Sequence, residues 1–266
     1  MNKDIFEEFK DIKINDYDYN RPCEFNIHNG ILKQIDNLIC KKELVIPEGV
    51  VKFDNNILDV VETQDLEKIV FSSTLEDIGE RNFEDIRNLK EVIVNNYFKL
   101  EDSCLYSSDY RTLYFCLKVK NGELTVNKNC KEIKSFAFVD CEKLEKIILP
   151  PKMERIGEGA FWNCRNLKEI NLPNYVENFE REIFANCYML ERVNLPENLT
   201  KIYAFLLSCT RKLKELKIPN SIQEIEDDGD EFSVFISRDT TLILDKQNYI
   251  VEQYAKKYNL NIKYLN

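Results

Sequence analysis

A short phrase recurs between residues 141 and 219 and decides the architecture of the chain. It is CEKLEKIILP at residues 141–150, CRNLKEINLP at 164–173 and CYMLERVNLP at 187–196, and it returns as LKELKIP at 213–219. Its leucines and prolines are spaced 23 residues apart. A fixed period of about 20–29 residues headed by L-x-x-I-x-L is typical of a solenoid, in which each repeat forms one coil stacked on its neighbours.

Each coil is predicted to bury one side of its chain. Leu144, Ile147 and Leu149 point inward from a first strand, and Pro150 ends that strand because proline has no backbone N–H to donate to a sheet. A second straight segment and the turn after it supply the other inward residues, which are Met153, Ile156, Ala160, Phe161 and Cys164. One coil cannot bury its own apolar side, so the core forms only by stacking.

The repeats divide the chain into parts of different regularity. From the N-terminus, these parts are a cap with a hairpin (1–43), degenerate repeats (44–94), an inserted hairpin that interrupts the repeats (95–123), regular repeats (124–231) and a cap of a strand, a helix and a strand (232–266). We expect about seven to eight repeats of about 23 residues between small helical caps. A weak helical stripe through Ile5, Phe6, Phe9 and Ile12 would close the open N-terminal end.

One long run of residues resembles a known family of bacterial repeats. Residues 156–173, IGEGAFWNCRNLKEINLP, contain the pattern I-G-x-x-A-F-x-x-C-x-x-L-x-x-I-x-L-P, which resembles the BspA-type leucine-rich repeats. The hairpin at Asn29-Gly30-Ile31-Leu32 and the tail at 254–258 are similar to that family's flanking pieces, so the resemblance covers about residues 25–265. It implies a β-rich, right-handed leucine-rich-repeat solenoid with a parallel sheet and short second strands. It also implies binding of macromolecules, often by secreted surface adhesins.

The charge and hydropathy of the chain argue against two classes of partner. The 266 residues carry a net charge of −10 and have a pI near 4.9. A nucleic-acid-binding face is basic, so nucleic acid is not expected as a partner. No stretch approaches the roughly 18 uninterrupted apolar residues of a membrane-spanning helix, so no membrane span is expected.

The N-terminus and the cysteines together predict a cytoplasmic location for the chain as it stands. Residues 1–10 have no apolar core and no small-residue cleavage site, so they do not form a secretory signal. The cysteine count of nine is odd and the spacing is not compact, which favours a reducing compartment. The alternative is a secreted or cell-surface protein from which a signal has been removed.

The cysteines of the repeats suggest a metal or redox site, but geometry favours another interpretation. Cys141, Cys164, Cys187 and Cys209 recur at close to the repeat spacing. In a parallel stack, equivalent side chains lie about 4.8 Å apart with parallel Cα–Cβ bonds. Disulfides need Cβ atoms about 3.8 Å apart, and tetrahedral zinc needs ligands that converge on one point. We therefore predict a column of small apolar core side chains, with no metal and no cofactor.

Charged pairs form a second column beside the core. The two residues that follow the leading leucine are Glu145-Lys146, Lys168-Glu169, Glu191-Arg192 and Lys214-Glu215 in successive repeats. Because their order alternates, stacking in register places opposite charges on adjacent strands, and a slip of one repeat would bring like charges together. We interpret the column as a ladder that fixes the register; the alternative is a charged recognition face.

The outward position between the last two core residues of each strand is the freest for binding a partner. It is occupied by Val70, Ile93, Ile148, Asn171, Asn194 and Lys217. Trp162 and Tyr188, next to the turns, are further candidates because Trp and Tyr are favoured interface anchors. The alternatives are isolated exposed residues of no special role on the strands, and packing between coils for the two aromatic residues.

No pattern of residues favours catalysis. His28 is the sole histidine, beside a predicted turn, so it cannot supply a His-based metal site. Phosphate-binding G-x-x-x-x-G-K-[ST] and G-x-G-x-x-G motifs are missing, and no carboxylate pair is singled out. We predict a non-enzymatic scaffold that binds a protein partner on its concave sheet and on the 95–123 insert. The alternative function is an adhesin that binds a host matrix protein or glycan.

Overall fold

The chain forms a β-solenoid of about ten turns, more than the seven to eight repeats expected. The computed structural model describes residues 21–38, 41–58, 63–118, 120–176, 179–229 and 234–265. Irregular coils near both ends lack the recurring phrase yet still pair with the stack, which explains the higher count. The predicted stripe through Ile5, Phe6, Phe9 and Ile12 lies outside the described residues.

The first strands of the coils lie in three parallel sheets, with strands numbered in chain order. The N-terminal sheet contains β3 (Glu43–Val45), β5 (Lys68–Val70) and β6 (Glu91–Ile93). The central sheet contains β10 (Gly122–Thr125), β12 (Leu144–Ile148), β14 (Glu169–Asn171) and β15 (Arg192–Asn194). The C-terminal sheet contains β17 (Glu215–Lys217), β19 (Thr241–Leu244) and β20 (Asn261–Tyr264).

Equivalent residues of successive repeats are neighbours across the strands. Ile170 of β14 is paired with Ile147 of β12 on one side and with Val193 of β15 on the other. The leading leucines of these repeats are fully buried, namely Leu144, Leu167 and Leu190. Parallel strands in step place equivalent side chains on the same face. The period of the sequence therefore sets both the register and the core.

Shorter strands form the second straight segment of the coils. They are β4 (Lys52–Phe53), β11 (Glu132–Ile133), β13 (Arg155–Ile156), β16 (Lys201–Ile202) and β18 (Glu224–Ile225). An antiparallel hairpin of β1 (Glu24–His28) and β2 (Ile31–Asp36) precedes them, and β2 pairs with β4. Coils approach closely at Gly157, where a Cβ would lie 2.5 Å from the backbone nitrogen of Ser135. Only glycine fits there.

The region predicted to hold an inserted hairpin contains an antiparallel meander of three strands. These are β7 (Phe98–Glu101), β8 (Cys104–Ser107) and β9 (Thr112–Cys116). β9 also pairs in parallel with β11, so the meander is built into the solenoid. Its side chains divide between two cores: Leu105 and Phe115 belong to the N-terminal core, whereas Cys104 and Tyr106 belong to the C-terminal core. The meander thus lies between the N-terminal core and the C-terminal core and contributes side chains to both.

A helix, α1 (Tyr249–Tyr258), lies between the last two strands of the C-terminal sheet. The Asn248 side chain accepts hydrogen bonds from the backbone N–H groups of Ile250 and Val251 at its start. Such a cap satisfies donors that have no partner within the helix. Asn259, in the left-handed conformation, ends it.

The helical residues that the structure describes form no segment with the length and hydropathy of a membrane span.

The predicted column of buried cysteines is confirmed for three positions and is wrong for the fourth. Cys141, Cys164 and Cys187 are fully buried, but Cys209 is exposed. Its spacing from Cys187 is one residue short of the period, so it takes the left-handed turn position, with φ 60°. Thr210 fills the core site instead, and its hydroxyl donates to the Leu207 carbonyl at 2.7 Å.

Candidate functional site

The outward side chains of the first strands form a surface that we call the strand face. At its N-terminal end, Val45, Val70 and Ile93 are neighbours across the sheet. Val45 is 55% and Ile93 43% exposed, and Val70 is half-buried. These three residues form an apolar patch. Ile148, which is 40% exposed, lies in a different sheet, where its neighbour is Thr125.

The C-terminal part of the strand face is polar and brings three of the predicted residues together. Asn171 and Asn194 are paired in register, and the Asn194 amide donates to the Asn171 amide oxygen at 2.7 Å. Lys217 continues the line and pairs with Asp245 at 3.0 Å. All three line a groove of about 770 Å3 and an adjoining one of about 450 Å3. We call the two together the strand-face groove.

The strand-face groove lies where the sheet is interrupted. β15 and β17 belong to separate sheets. β15 is the last strand of the central sheet and β17 is the first strand of the C-terminal sheet, and within each sheet the neighbouring strands are paired in parallel. The charge ladder is already incomplete before this point, because no ion pair joins Lys168 to Glu191 within the described ranges although β14 and β15 are paired. It is formed at Glu145 and Lys168 (2.5 Å) and at Glu169 and Arg192 (2.5 Å). Among the described residues, no ion pair joins Glu191 to Lys214 across the interruption, so both side chains line the groove without that partner.

Two charged groups at the strand-face groove, Arg192 and Lys217, are held by local pairing. The Arg192 guanidinium lowers the pKa of the Glu169 carboxyl, with which it forms a hydrogen bond. The hydrogen bond to Asp245 raises the pKa of the Lys217 ammonium. Both effects keep the groups charged at neutral pH. The groove therefore offers amides, ammonium groups and carboxylates to a polar partner.

Tyr188 and Trp162 occupy different surroundings from the strand residues. The Tyr188 ring lies between two guanidinium groups, that of Arg211 at 4.9 Å and that of Arg165 at 5.9 Å from its centre. These residues precede the strands, and Lys212, which follows Arg211, lines the groove. Trp162 is half-buried in a turn, where its carbonyl accepts the Asp140 N–H at 3.1 Å. It is not among the residues that line either part of the strand-face groove.

A separate pocket of about 300 Å3 joins the repeats on the two sides of the meander. Asp140 lies 3.7 Å from the Lys118 ammonium and 3.9 Å from the Arg87 guanidinium, and it accepts a hydrogen bond from the Asn163 amide. Lys118 also donates to the Glu84 carbonyl at 2.6 Å. Burial lowers the pKa of the Lys118 ammonium. Because its polar groups satisfy one another, we assign this pocket to structural support.

The stacked parallel coils, of which the regular ones are headed by buried leucines such as Leu144, Leu167 and Leu190, define a leucine-rich-repeat solenoid. The family described as BspA-type leucine-rich repeat region matches residues 24–122 and 112–229, in six copies. The chain belongs to this family, as the phrase at 156–173 predicted. A comparison with curated proteins gave no match.

Solved structures of bacterial leucine-rich-repeat proteins share the fold. A leucine-rich cell surface protein from Faecalibacterium prausnitzii has 19% identity and a TM-score of 0.61, over 74% of this chain and 63% of that one. The pneumococcal vaccine antigen PcpA has 20% identity and a TM-score of 0.60, over 85% and 68%. A protein from Bacteroides ovatus has 21% identity and a TM-score of 0.51, over 91% and 65%. This chain thus spans about two thirds of the length of these proteins.

Proposed function

We propose that the chain is a non-enzymatic scaffold that binds a protein partner in the strand-face groove. The observation that carries the proposal is the convergence of Asn171, Asn194 and Lys217 on one groove at an interruption of the sheet. Elsewhere on the central sheet, the charge ladder pairs Glu145 with Lys168 and Glu169 with Arg192. In the strand-face groove, Lys214 and Glu191 do not pair with each other and are available to bind groups of a partner.

The chemistry of the strand-face groove favours a polar segment of a protein. Asn side chains donate and accept hydrogen bonds, and Lys217 and Arg192 offer charged donors on a framework fixed by parallel pairing. Tyr188, flanked by Arg165 and Arg211, adds a rigid aromatic group at the edge. Tyr and Arg are enriched among the residues that contribute most to protein interfaces. An extended repeat surface can supply such contacts over the area that a stable interface requires.

A variant of the strand-face groove tests the proposal. We expect Asn171→Arg, Asn194→Arg and Lys217→Glu together to abolish capture of the partner from lysate of the native host, because they fill the groove and reverse a charge. The control carries Asn220→Arg, Gln247→Arg and Lys246→Glu, which are exposed outside the groove. Mass spectrometry should find one protein enriched by wild type and control and lost with the variant, at an unchanged melting temperature. Equal capture by all three proteins would refute the proposal.

The second candidate function is a secreted or cell-surface adhesin that binds a host matrix protein or glycan. It is favoured by the likeness to a structure described as a cell surface protein. The cytoplasmic location predicted from the sequence stays a prediction. Fractionation of the native cells, followed by immunoblotting, separates the two: protein in the medium or accessible to protease on intact cells supports the adhesin, and protein in the cytosol alone supports an internal scaffold.

A further inference from the structure

A second groove, of about 620 Å3, lies beside the loop between β8 and β9. Arg111 of that loop forms one wall. The turns after β10 and β12 supply Lys128, Lys131 and Lys152, and Asp109 lies at the edge. We call this the basic groove. It shares no residue with the strand-face groove.

The loop that carries Arg111 is held in place by its own hydrogen bonds. The Ser107 hydroxyl donates to the Asp109 carboxylate at 2.6 Å and accepts the Thr112 N–H at 3.0 Å. Asp109 also accepts the Arg111 N–H at 3.0 Å. The Arg111 carbonyl in turn accepts the Lys131 N–H at 2.8 Å, which ties the loop to the next coil. The meander thus fixes the position of one cation relative to the others.

The basic groove has an excess of positive charge on an acidic chain. Lys131 is neutralised by Glu154 at 2.7 Å and donates to the Lys152 carbonyl at 3.1 Å. Arg111, Lys128 and Lys152 are exposed. In the part of the chain that the structure describes, none of these three forms an ion pair with a carboxylate. The basic groove therefore carries a local excess of positive charge, with Asp109 and Glu154 as its nearby carboxylates, on a protein of net charge −10.

We propose that the basic groove binds an acidic peptide segment of a protein partner. Guanidinium and ammonium groups at fixed spacing suit successive Asp or Glu carboxylates, and Arg111 can bind one in a bidentate manner. Grooves of about 300–1,000 Å3 suit ligands of limited size. The negative charge of the rest of the chain repels a long polyanion that extends beyond the groove. A short acidic segment avoids that repulsion.

Fluorescence anisotropy of a labelled peptide of alternating Glu and Gly tests the proposal. One variant carries Arg111→Glu and Lys152→Glu. The matched control carries Lys246→Glu and Lys256→Glu, two exposed lysines of the C-terminal region, and has the same net charge. We expect wild type and control to bind the peptide similarly, with affinity that falls as salt is added, and the groove variant to bind it at least about tenfold more weakly. Circular dichroism and melting curves check that all three proteins are folded.

Three outcomes would overturn the assignment. The first is absence of peptide binding by the wild type, and the second is equal binding by the two variants. The third is binding of heparin or a single-stranded oligonucleotide in place of the peptide, which would make this a polyanion site. The strand-face variant of the preceding section should still bind the peptide. Failure of the proposed function and failure of this inference are thereby distinguished.

Discussion

The rings of Phe161 and Phe184 stack on one another, with centres 5.4 Å apart and planes 3° from parallel. The residues occupy the same position in successive repeats. Phe138 precedes them in the same column, with its ring centre 5.2 Å from that of Phe161. All three side chains are fully buried. Contact between equivalent side chains is therefore how one coil stabilises the next, and the middle ring of the column makes two such contacts.

Replacement of Phe161 by alanine should destabilise the protein strongly. The change removes a buried ring, leaves a cavity between two coils and deletes both stacking contacts. Losses of about 3–5 kcal/mol are usual for Phe→Ala in a well-packed core. Urea denaturation followed by circular dichroism measures the change in the free energy of unfolding.

The control for that experiment is Tyr175→Ala, since Tyr175 is 64% exposed. A surface change of this kind should stay within about 0.5 kcal/mol of wild type. If Phe161→Ala lowers the free energy of unfolding no more than Tyr175→Ala does, the aromatic column contributes less to stability than its burial indicates.

The cysteines should differ sharply in reactivity towards N-ethylmaleimide. In the described residues, Cys209 is exposed and Cys23 is half-buried, whereas Cys141, Cys164 and Cys187 are fully buried. Burial also raises the pKa of the Cys164 thiol well above its ordinary value, which lowers the fraction of reactive thiolate. Among these cysteines, we expect mass spectrometry to find Cys209 labelled first. The buried thiols should react only after urea is added.

Equal labelling of Cys164 and Cys209 in the native protein would contradict the assignment of Thr210 to the core position. Thr210→Ala provides a further check, because it removes the hydroxyl that donates to Leu207 without altering the exposure of Cys209. The variant should be less stable than wild type but should keep the same pattern of labelling.

The regular coils could be predicted from the sequence because their determinants are periodic. Ile147, Ile170 and Val193 are spaced by the period and are paired in register. The count of turns was too low because the last strands keep no fixed spacing: Leu216 pairs with Leu242, and Leu242 with Ile262, at intervals that differ from the period. These coils form because their strands pair and their side chains are buried. A search of the sequence for the recurring 23-residue phrase does not detect them.

The candidate site was only partly accessible to sequence reasoning. Alternating charges predicted the ladder, and the pairs at Glu145 with Lys168 and Glu169 with Arg192 are formed. The same alternation also predicts Lys168 with Glu191 and Glu191 with Lys214, and among the described residues neither ion pair is formed. The spacing of the leucines and prolines does not indicate that the sheet is interrupted between β15 and β17, because it stays at 23 residues there. The interruption depends on how whole coils lie against each other, a property of tertiary structure.

Acidification should weaken the protein partly through Glu226. The Arg181 guanidinium bonds to this carboxylate at 2.7 Å and lowers its pKa below the ordinary value of 4.5, although partial burial opposes the shift. A carboxyl whose pKa is lower in the folded state binds its proton more readily when unfolded. Its contribution to stability is therefore present above pH 4.5 and is lost as the pH falls through the folded value.

Glu226→Gln and Arg181→Met should each reduce the dependence of unfolding free energy on pH in the acid range. Urea titrations at a series of pH values measure this slope. The control is Asp239→Asn, which alters an exposed carboxylate and should leave the wild-type slope. A wild-type slope in both Glu226→Gln and Arg181→Met would show that this pair does not couple folding to protonation.

Alkaline conditions should weaken the protein through its buried thiols, of which Cys187 is one. Burial raises the pKa of this thiol from the ordinary value of 9.0 to about 12, and the thiol donates to the Phe161 carbonyl at 3.2 Å. The unfolded chain therefore releases the proton at a lower pH than the folded chain. The stabilisation is complete below pH 9.0 and is lost as the pH rises towards about 12.

Cys187→Ala should reduce this alkaline slope by about 1.4 kcal/mol per pH unit, the effect of one proton. Alanine cannot ionise in either state, so the variant should be less stable than wild type at neutral pH and should lose less of its remaining stability on going to higher pH. Urea denaturation across the alkaline range measures both quantities. Cys209→Ala removes an exposed thiol and should follow wild type throughout. Parallel curves for wild type and Cys187→Ala would mean that the thiol at 187 ionises as readily in the folded protein as in the unfolded chain, and so is open to solvent.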